Sequence, residues 1–485
     1  MLLSQALGLN QSQPMFDFVD IDLYKDFPLY IDPIGFKNPR DEFAEKCQED
    51  IQDFFDAVLK AIVAGNVAAG QQLLEGLREP NETHLGVSSD QPAGRGLGKE
   101  QAAQVLESLR RSPAAQSGLL TDLTDAALFI PGIGADKISD MTTNIIRRHL
   151  IEYTQQQFQV LNVDIVGSVP TGLLWDTGNG RWIDDEYDKI PVVEGQKILL
   201  VPKRYVRWRG GLQQAASHYY NNFVTNFIRD EELRTNGNLV EVIKSKKVTK
   251  RVVRKSKIKE KFPLTKDFLA EFSSKHPNEY KKFRTAYNRH HPIGIRTLVE
   301  AHGATFKEAE FDASLIATLQ NIPPGRRTAT AYHHLIVGIL TYLFYPHLIS
   351  PAIEREIDDG RKRIDLTFSN SAEAGFFKDR KDEAFTIARE VMVECKNYDD
   401  DIANPELDQL AGRFDPRRGR FGLMLCRSIN DPDLVLHRCR DMFQAQRGIV
   451  IVLSDEDVIA MLRTAPIERG DMIQAYLRKR LREIS

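Results

Sequence analysis

GRKRIDLTF, residues 360–368, sets Arg361, Lys362 and Arg363 directly before an apolar run and places Asp365 inside that run. Side chains alternate across a strand. Ile364, Leu366 and Phe368 therefore share one face, and Asp365 falls on the other. An unpaired carboxylate in a half-buried strand is costly, so the partners of Asp365 matter. The next apolar run, VMVECK (Val391–Lys396), sorts in the same way: Val391, Val393 and Cys395 together, with Glu394 and Lys396 side by side on the opposite face. If the two strands are neighbours, two carboxylates and one ammonium converge.

The surrounding sequence frames these strands as a mixed sheet. AYHHLIVGILTYLFY (331–345) predicts a long apolar helix ended by Pro346, followed by the strand AIEREI (352–357). Beyond the two strands above come a helix around PELDQLAGRF (405–414), a strand FGLMLCRSI (421–429), a helix DPDLVLHRCRDMFQAQR (431–447) and a strand GIVIVLS (448–454). This order predicts an α/β domain over residues 326–485, with a β-meander first and βαβ crossovers after it.

The front of the chain is expected to be α+β of unknown fold, so that the whole reads as α+β. A mostly helical domain is expected over residues 1–160, and a β-hairpin region followed by a basic helical region over 161–325. FDFVDIDLYKDFPLYIDP alternates apolar and polar positions and predicts strands and turns over about 15–45. DEFAEKCQEDIQDFFDAVLKAIVAG has helical spacing and stops at Gly65; DMTTNIIRRHLIEYTQQQFQVL, from Asp140, has it again. GLLWDTGNGRWIDD predicts a hairpin around Asp176–Gly180, with cross-strand packing as the plainer role for Trp175 and Trp182 and base stacking as the alternative.

Composition describes an ordinary folded chain: 485 residues, 42% hydrophobic and 27% charged, too long for one core. Four scattered cysteines predict neither a disulfide framework nor a zinc site, which fits a reducing cytoplasm. The longest apolar run, from Leu335, is too short to span a bilayer, and the first residues lack a signal-peptide pattern. A net charge of −3 gives no global attraction to nucleic acid, so any such binding is left to local patches. One such patch is Lys244–Lys261, which carries ten basic residues and one acidic residue and reads either as a phosphate-binding segment or as a solvated face.

Two carboxylates and a lysine at one point suit phosphodiester hydrolysis. Carboxylates hold hard divalent cations such as Mg²⁺, which activate water and neutralise charge on phosphate; a lysine orients the water or stabilises the pentacovalent state. GRKRIDL followed by VMVECKNY resembles the PD-(D/E)xK nuclease superfamily, the restriction-endonuclease-like fold, over about residues 330–455. The resemblance implies Asp365 and Glu394 as metal ligands for Mg²⁺ or Mn²⁺ and Lys396 as the catalytic lysine. It also implies a further acidic group from Glu354 or Glu356, and Gln409 as the polar residue on the following helix. The family's proline is replaced by Ile364, and Ser369–Arg389 must be accommodated between the two motif strands.

On this reading Arg361, Lys362, Arg363, Arg413, Arg417 and Arg418 are expected to contact phosphate. The partners expected are nucleic acid, with DNA favoured, a second copy of the chain, and a partner protein of the same defence system, with no membrane. An uncharacterised front half joined to this fold resembles prokaryotic restriction and phage-defence effectors. Two alternatives stay open: a non-catalytic nucleic-acid-binding or assembly protein that keeps the fold, and an RNA-processing nuclease.

Three weaker motifs are discounted. Glu279-Tyr280-Lys281 repeats the E-x-K pattern in a polar, helix-like frame. GRGLGKEQ (94–101) lacks the spacing and hydroxyl residue of a P-loop. His333 and His334 lie in the apolar helix, where packing is the simpler role than metal ligation.

Overall fold

The computed structural model describes residues 1–37, 41–86, 99–112, 115, 120–184, 186–208, 215–244, 249–287, 291–354 and 365–485. The chain is α+β. Its only sheet of more than two strands among the described residues has five, lies near the C-terminus and runs in chain order. These strands are β1 (Leu348–Glu354), β2 (Asp365–Asn370), β3 (Glu390–Lys396), β4 (Phe421–Cys426) and β5 (Ile449–Ser454). The pairs β1–β2 and β2–β3 are antiparallel, and β3–β4 and β4–β5 are parallel.

Helix α1 (Ala329–Phe344) precedes the sheet, and α2 (Gly375–Asp382) fills part of the connection between β2 and β3. The parallel strands are joined through α3 (Asn404–Ala411) and α4 (Pro432–Gln444), and α5 (Asp455–Arg463) and α6 (Pro466–Ile484) close the chain. Every residue of β4 and β5 is buried, as strands covered on both faces require. α3 seats closely because Gly422 faces it: a Cβ there would stand 3.0 Å from a methyl of Leu410.

The hydrophobic interior forms two large bodies. One gathers buried residues from Leu3 to Leu298, so both regions expected upstream of residue 325 contribute to a single core, together with Ile349 of β1. The other runs from Leu315 to Ile484 and takes in Met15 and Val160 from the front of the chain. Each core thus borrows residues from the other's sequence. Met15 fits against α1 because residue 338 is glycine: a Cβ there would stand 2.4 Å from the Met15 methyl.

Polar contacts stitch the same seam. Arg204, 4% exposed, donates to the carbonyls of Pro346 (2.9 Å) and Ser371 (3.3 Å) and to Glu373 (3.3 Å). The Lys203 ammonium lies 4.4 Å from the Tyr345 ring centroid and donates to the Phe16 carbonyl at 2.6 Å. Gln11 and Gln157 reach the carbonyls of His334 and Pro351, each at 3.1 Å.

Several sequence expectations require correction. Within 15–45 the strands shrink to Leu29–Ile31, which pairs with Val206–Trp208. Asp17, Asp20 and Asp32 of that alternating stretch are buried rather than exposed: Asp17 accepts from Tyr153 at 2.7 Å and Asp20 from Ser4 at 2.6 Å. Side chains, rather than a ladder, satisfy them. The helix expected from Asp140 is two helices, Ala135–Ile145 and Arg147–Val160. The basic region contains a hairpin, Glu241–Lys244 with Thr249–Val252, and Arg254 and Lys257 from the following segment pair with its Glu241. The helix ending before Gly65 is observed as Glu42–Val63, capped by Asp41, which accepts from the Ala44 N–H. Trp175 and Trp182 are cross-strand partners packed edge to face, 5.3 Å between centroids, with Phe54 against both.

A crevice of about 240 Å³ remains where the front helices meet the sheet, lined by Glu42, Lys46, His149, Glu152, Ser350 and Glu390 among others. Burial opposes charge on His149, but a hydrogen bond to Asp50 (2.9 Å) and the Glu152 carboxylate 3.7 Å away favour its charged form and raise its pKa to about 9. A raised folded-state pKa stabilises fully below the ordinary histidine value and is lost as pH rises through about 9. The unfolding midpoint should therefore fall between about pH 6.5 and about pH 9.5 in the wild type, and measurably less in His149→Gln. Equal slopes in the two proteins would refute this assignment.

Candidate active site

The site grows from the edge-to-centre order of β1, β2 and β3. Backbone pairing sets Glu354 opposite Asp365. The register that pairs Leu366 with Val393, continued by one residue, brings Asp365 to Glu394. Three acidic residues on three adjacent strands thus occupy one transverse row. The side chains of Glu354 and Asp365 lie outside the described residues, as do Glu356, Arg361, Lys362 and Arg363 and the glycine-rich stretch 94–98.

Glu394 lies at the centre of a buried charged cluster. Its carboxylate is 3% exposed and receives two cations: Lys396 Nζ on Oε1 at 2.7 Å, and Arg413 Nη1 on Oε2. Strand alternation delivers the first of these, since residues i and i+2 share a face. The second comes from just beyond the C-terminal end of α3. That helix starts at Asn404-Pro405, with proline in its first turn, and presents Gln409, whose Oε1 lies 3.4 Å from Lys396 Nζ. Lys396, 6% exposed, is thus held between a carboxylate and an amide oxygen.

The expected phosphate contacts divide. Arg413 is committed to Glu394, and Arg418 donates to Glu390 at 2.7 Å. Arg417 is exposed, on a turn where its backbone N–H is held by Asp415 at 2.7 Å. The other E-x-K sequence sits in helix Pro277–Tyr287, where Tyr280 is buried and Glu279 pairs with Lys282. It builds no comparable site.

His333, read from sequence as a packing residue, stands next to this machinery. It is 7% exposed, and neither ring nitrogen has a hydrogen-bond partner. Burial and the neighbouring His334 push its pKa down to about 4, while Glu394 acts in the opposite sense. A neutral imidazole whose lone-pair nitrogen and N–H both lack a partner therefore sits within electrostatic reach of the Glu394 carboxylate. The signal for it is a histidine pair inside an otherwise apolar helix.

No group of three His, Cys, Asp or Glu side chains placed to hold a metal ion is present among the described residues, which exclude the Asp365 and Glu354 carboxylates. What is described fits a divalent cation: a buried carboxylate in an acidic row, and a neutral, unpartnered histidine beside it. The four cysteines are free thiols, and among the described residues no helix is long and apolar enough to cross a membrane.

Residues 8–212 match a family model described as a domain of unknown function (DUF8370). That stretch carries Lys203, Arg204 and His149 and stops well before the five-stranded sheet. No curated protein and no solved structure matches the chain.

Proposed function

We propose that the protein is a metal-dependent nuclease of the PD-(D/E)xK type, hydrolysing phosphodiester bonds, with DNA the favoured substrate. The observation that carries this reading is the row Glu354–Asp365–Glu394 on neighbouring strands, with Lys396 bonded to Glu394 two residues along the same strand. The order of antiparallel and parallel pairs, with a helix after β3, supports the restriction-endonuclease-like assignment of the sheet.

Asp365 and Glu394 would hold Mg²⁺ or Mn²⁺, with Glu354 next in the row. Such an ion, when bound, polarises the phosphate and lowers the pKa of coordinated water. The chain's own groups do the rest. Lys396 is a fixed ammonium that donates to an oxygen of the reacting phosphate or to the attacking water, and Gln409 fixes its direction. Arg413 offsets the charge of Glu394, which a buried carboxylate requires. The front of the chain, sharing core residues with this domain, serves as the sensing or restraining part of a defence effector.

One observation favours the competing reading, a non-catalytic binding or assembly protein of the same fold. Glu394 flanked by Lys396 and Arg413 is electrostatically complete with protein groups alone. Incubating the purified protein with plasmid DNA, single-stranded DNA and RNA, each with Mg²⁺ or Mn²⁺, decides between them. The nuclease reading expects chelator-sensitive cleavage of at least one substrate, DNA first; intact substrates in every arm leave the binding reading.

A further inference from the structure

We propose that the turn Gly325–Thr328 is a phosphate clamp in which Arg326 and Arg327 grip a nucleic-acid backbone at the mouth of the Glu394–Lys396 site. The inference takes its ligand class, nucleic acid, from the reading above. It does not require hydrolysis.

Strands β3 and β4 end side by side, Lys396 paired with Cys426. The residue after each one reaches back to the same upstream segment. Asn397 donates from Nδ2 to the Gly325 carbonyl (2.8 Å) and to Thr328 Oγ1 (3.0 Å), and its own carbonyl accepts from the Gly325 N–H at 2.7 Å. Arg427 donates to the Ile322 carbonyl at 2.7 Å. Thr328 in turn donates to the Pro323 carbonyl at 2.6 Å, and Gly325 closes the turn at φ +121°, where side-chain-bearing residues are strained. The segment Ile322–Thr328 is therefore strapped across the carboxyl ends of two parallel strands. In open α/β sheets, ligands bind outside those ends.

Two arginines occupy the tip of the strap. Both are exposed, and neither has a carboxylate partner among the described residues. Three other arginines near the site are engaged: Arg413 with Glu394, Arg418 with Glu390, and Arg427 with Asp455 (3.3 Å) and the Tyr332 ring. Guanidinium forks match phosphate oxygens in a bidentate manner. Carrying them on a hydrogen-bonded turn removes part of the ordering entropy that binding otherwise costs. Lys396 lies one residue from the Asn397 anchor, so the turn stands at the same strand end as the proposed reacting centre.

The test is fluorescence anisotropy of full-length protein with a labelled DNA duplex and with single-stranded RNA, in Ca²⁺ across a NaCl series, comparing wild type with R326A/R327A. The double variant is expected to weaken binding about tenfold and to flatten the log–log salt dependence on the duplex by nearly two, since each phosphate that the protein neutralises adds about 0.9 to that slope. R326K/R327K should restore most of the slope, and the unfolding midpoint should not move. Wild-type binding that depends on these arginines, without Mg²⁺-dependent cleavage, would sustain the clamp while removing the nuclease reading. Unchanged affinity and slope in the alanine variant, or no binding of either nucleic acid by the wild type, overturns the clamp.

Discussion

Lys396→Met is expected to abolish metal-dependent cleavage while leaving the fold intact. Lys396 is 6% exposed and bonded to Glu394 and Gln409, and a methionine fills nearly the same volume without the charge. Arg413 remains on the other carboxylate oxygen, so Glu394 keeps a counter-charge. On the proposed nuclease reading, what disappears is a preorganised donor aimed at developing charge, worth about 10²–10³-fold in turnover. Lys396→Arg should recover little, because a planar fork does not reproduce a point charge in a packed site. Single-turnover plasmid cleavage with a parallel unfolding curve checks both parts, and activity within a few-fold of wild type would refute the role. Glu394→Ala is the poorer probe. It strands two nearly buried cations at a cost of about 3–5 kcal/mol, so lost activity would be confounded with lost structure.

Arg469→Met should produce a large loss of stability. This side chain, 8% exposed, ties α6 to helix Glu308–Asn321 and to α1. It donates to Asp312, to the Tyr342 hydroxyl at 2.6 Å and to the Thr464 carbonyl at 3.2 Å. Its removal leaves Asp312 buried without a counter-ion, a change of about 3–5 kcal/mol. Urea denaturation followed by circular dichroism reads it directly. Adding Asp312→Leu should recover part of the loss, since an apolar pair can replace a buried ion pair at little net change. A double variant no more stable than the single one would show that the damage is steric rather than electrostatic.

Strand alternation within six residues was enough to put Glu394 beside Lys396, and the 2.7 Å hydrogen bond is a local consequence of it. The order of strands from residue 348 to 454 and the helices α1, α3 and α4 between them were legible for the same reason, since each carries its own period and stop, whereas α2, α5 and α6 were not read. Arg413 and Arg418 were not legible. Sequence shows cations near a site but not that Glu394 and Glu390, distant in the chain, capture them. His333 escaped because an apolar helix reads as core from every face, whereas its missing hydrogen bonds exist only once α1 lies against β3. In the front half, the alternation around Asp17 and Asp20 imitates a surface strand. Tyr153 and Ser4 turn those carboxylates into buried anchors instead.

Taken alone, the sequence determined the strands of the five-stranded sheet and which charged groups share a strand face, because both follow from backbone geometry over a few residues. Tertiary structure decided what meets across the chain: the acidic row over three strands, the arginines drawn to buried carboxylates, and the strap at Asn397. It also decided that the front of the molecule and the sheet domain exchange core residues at Met15, Val160 and Ile349. Those meetings depend on packing and desolvation between segments far apart in sequence, and no local period encodes them.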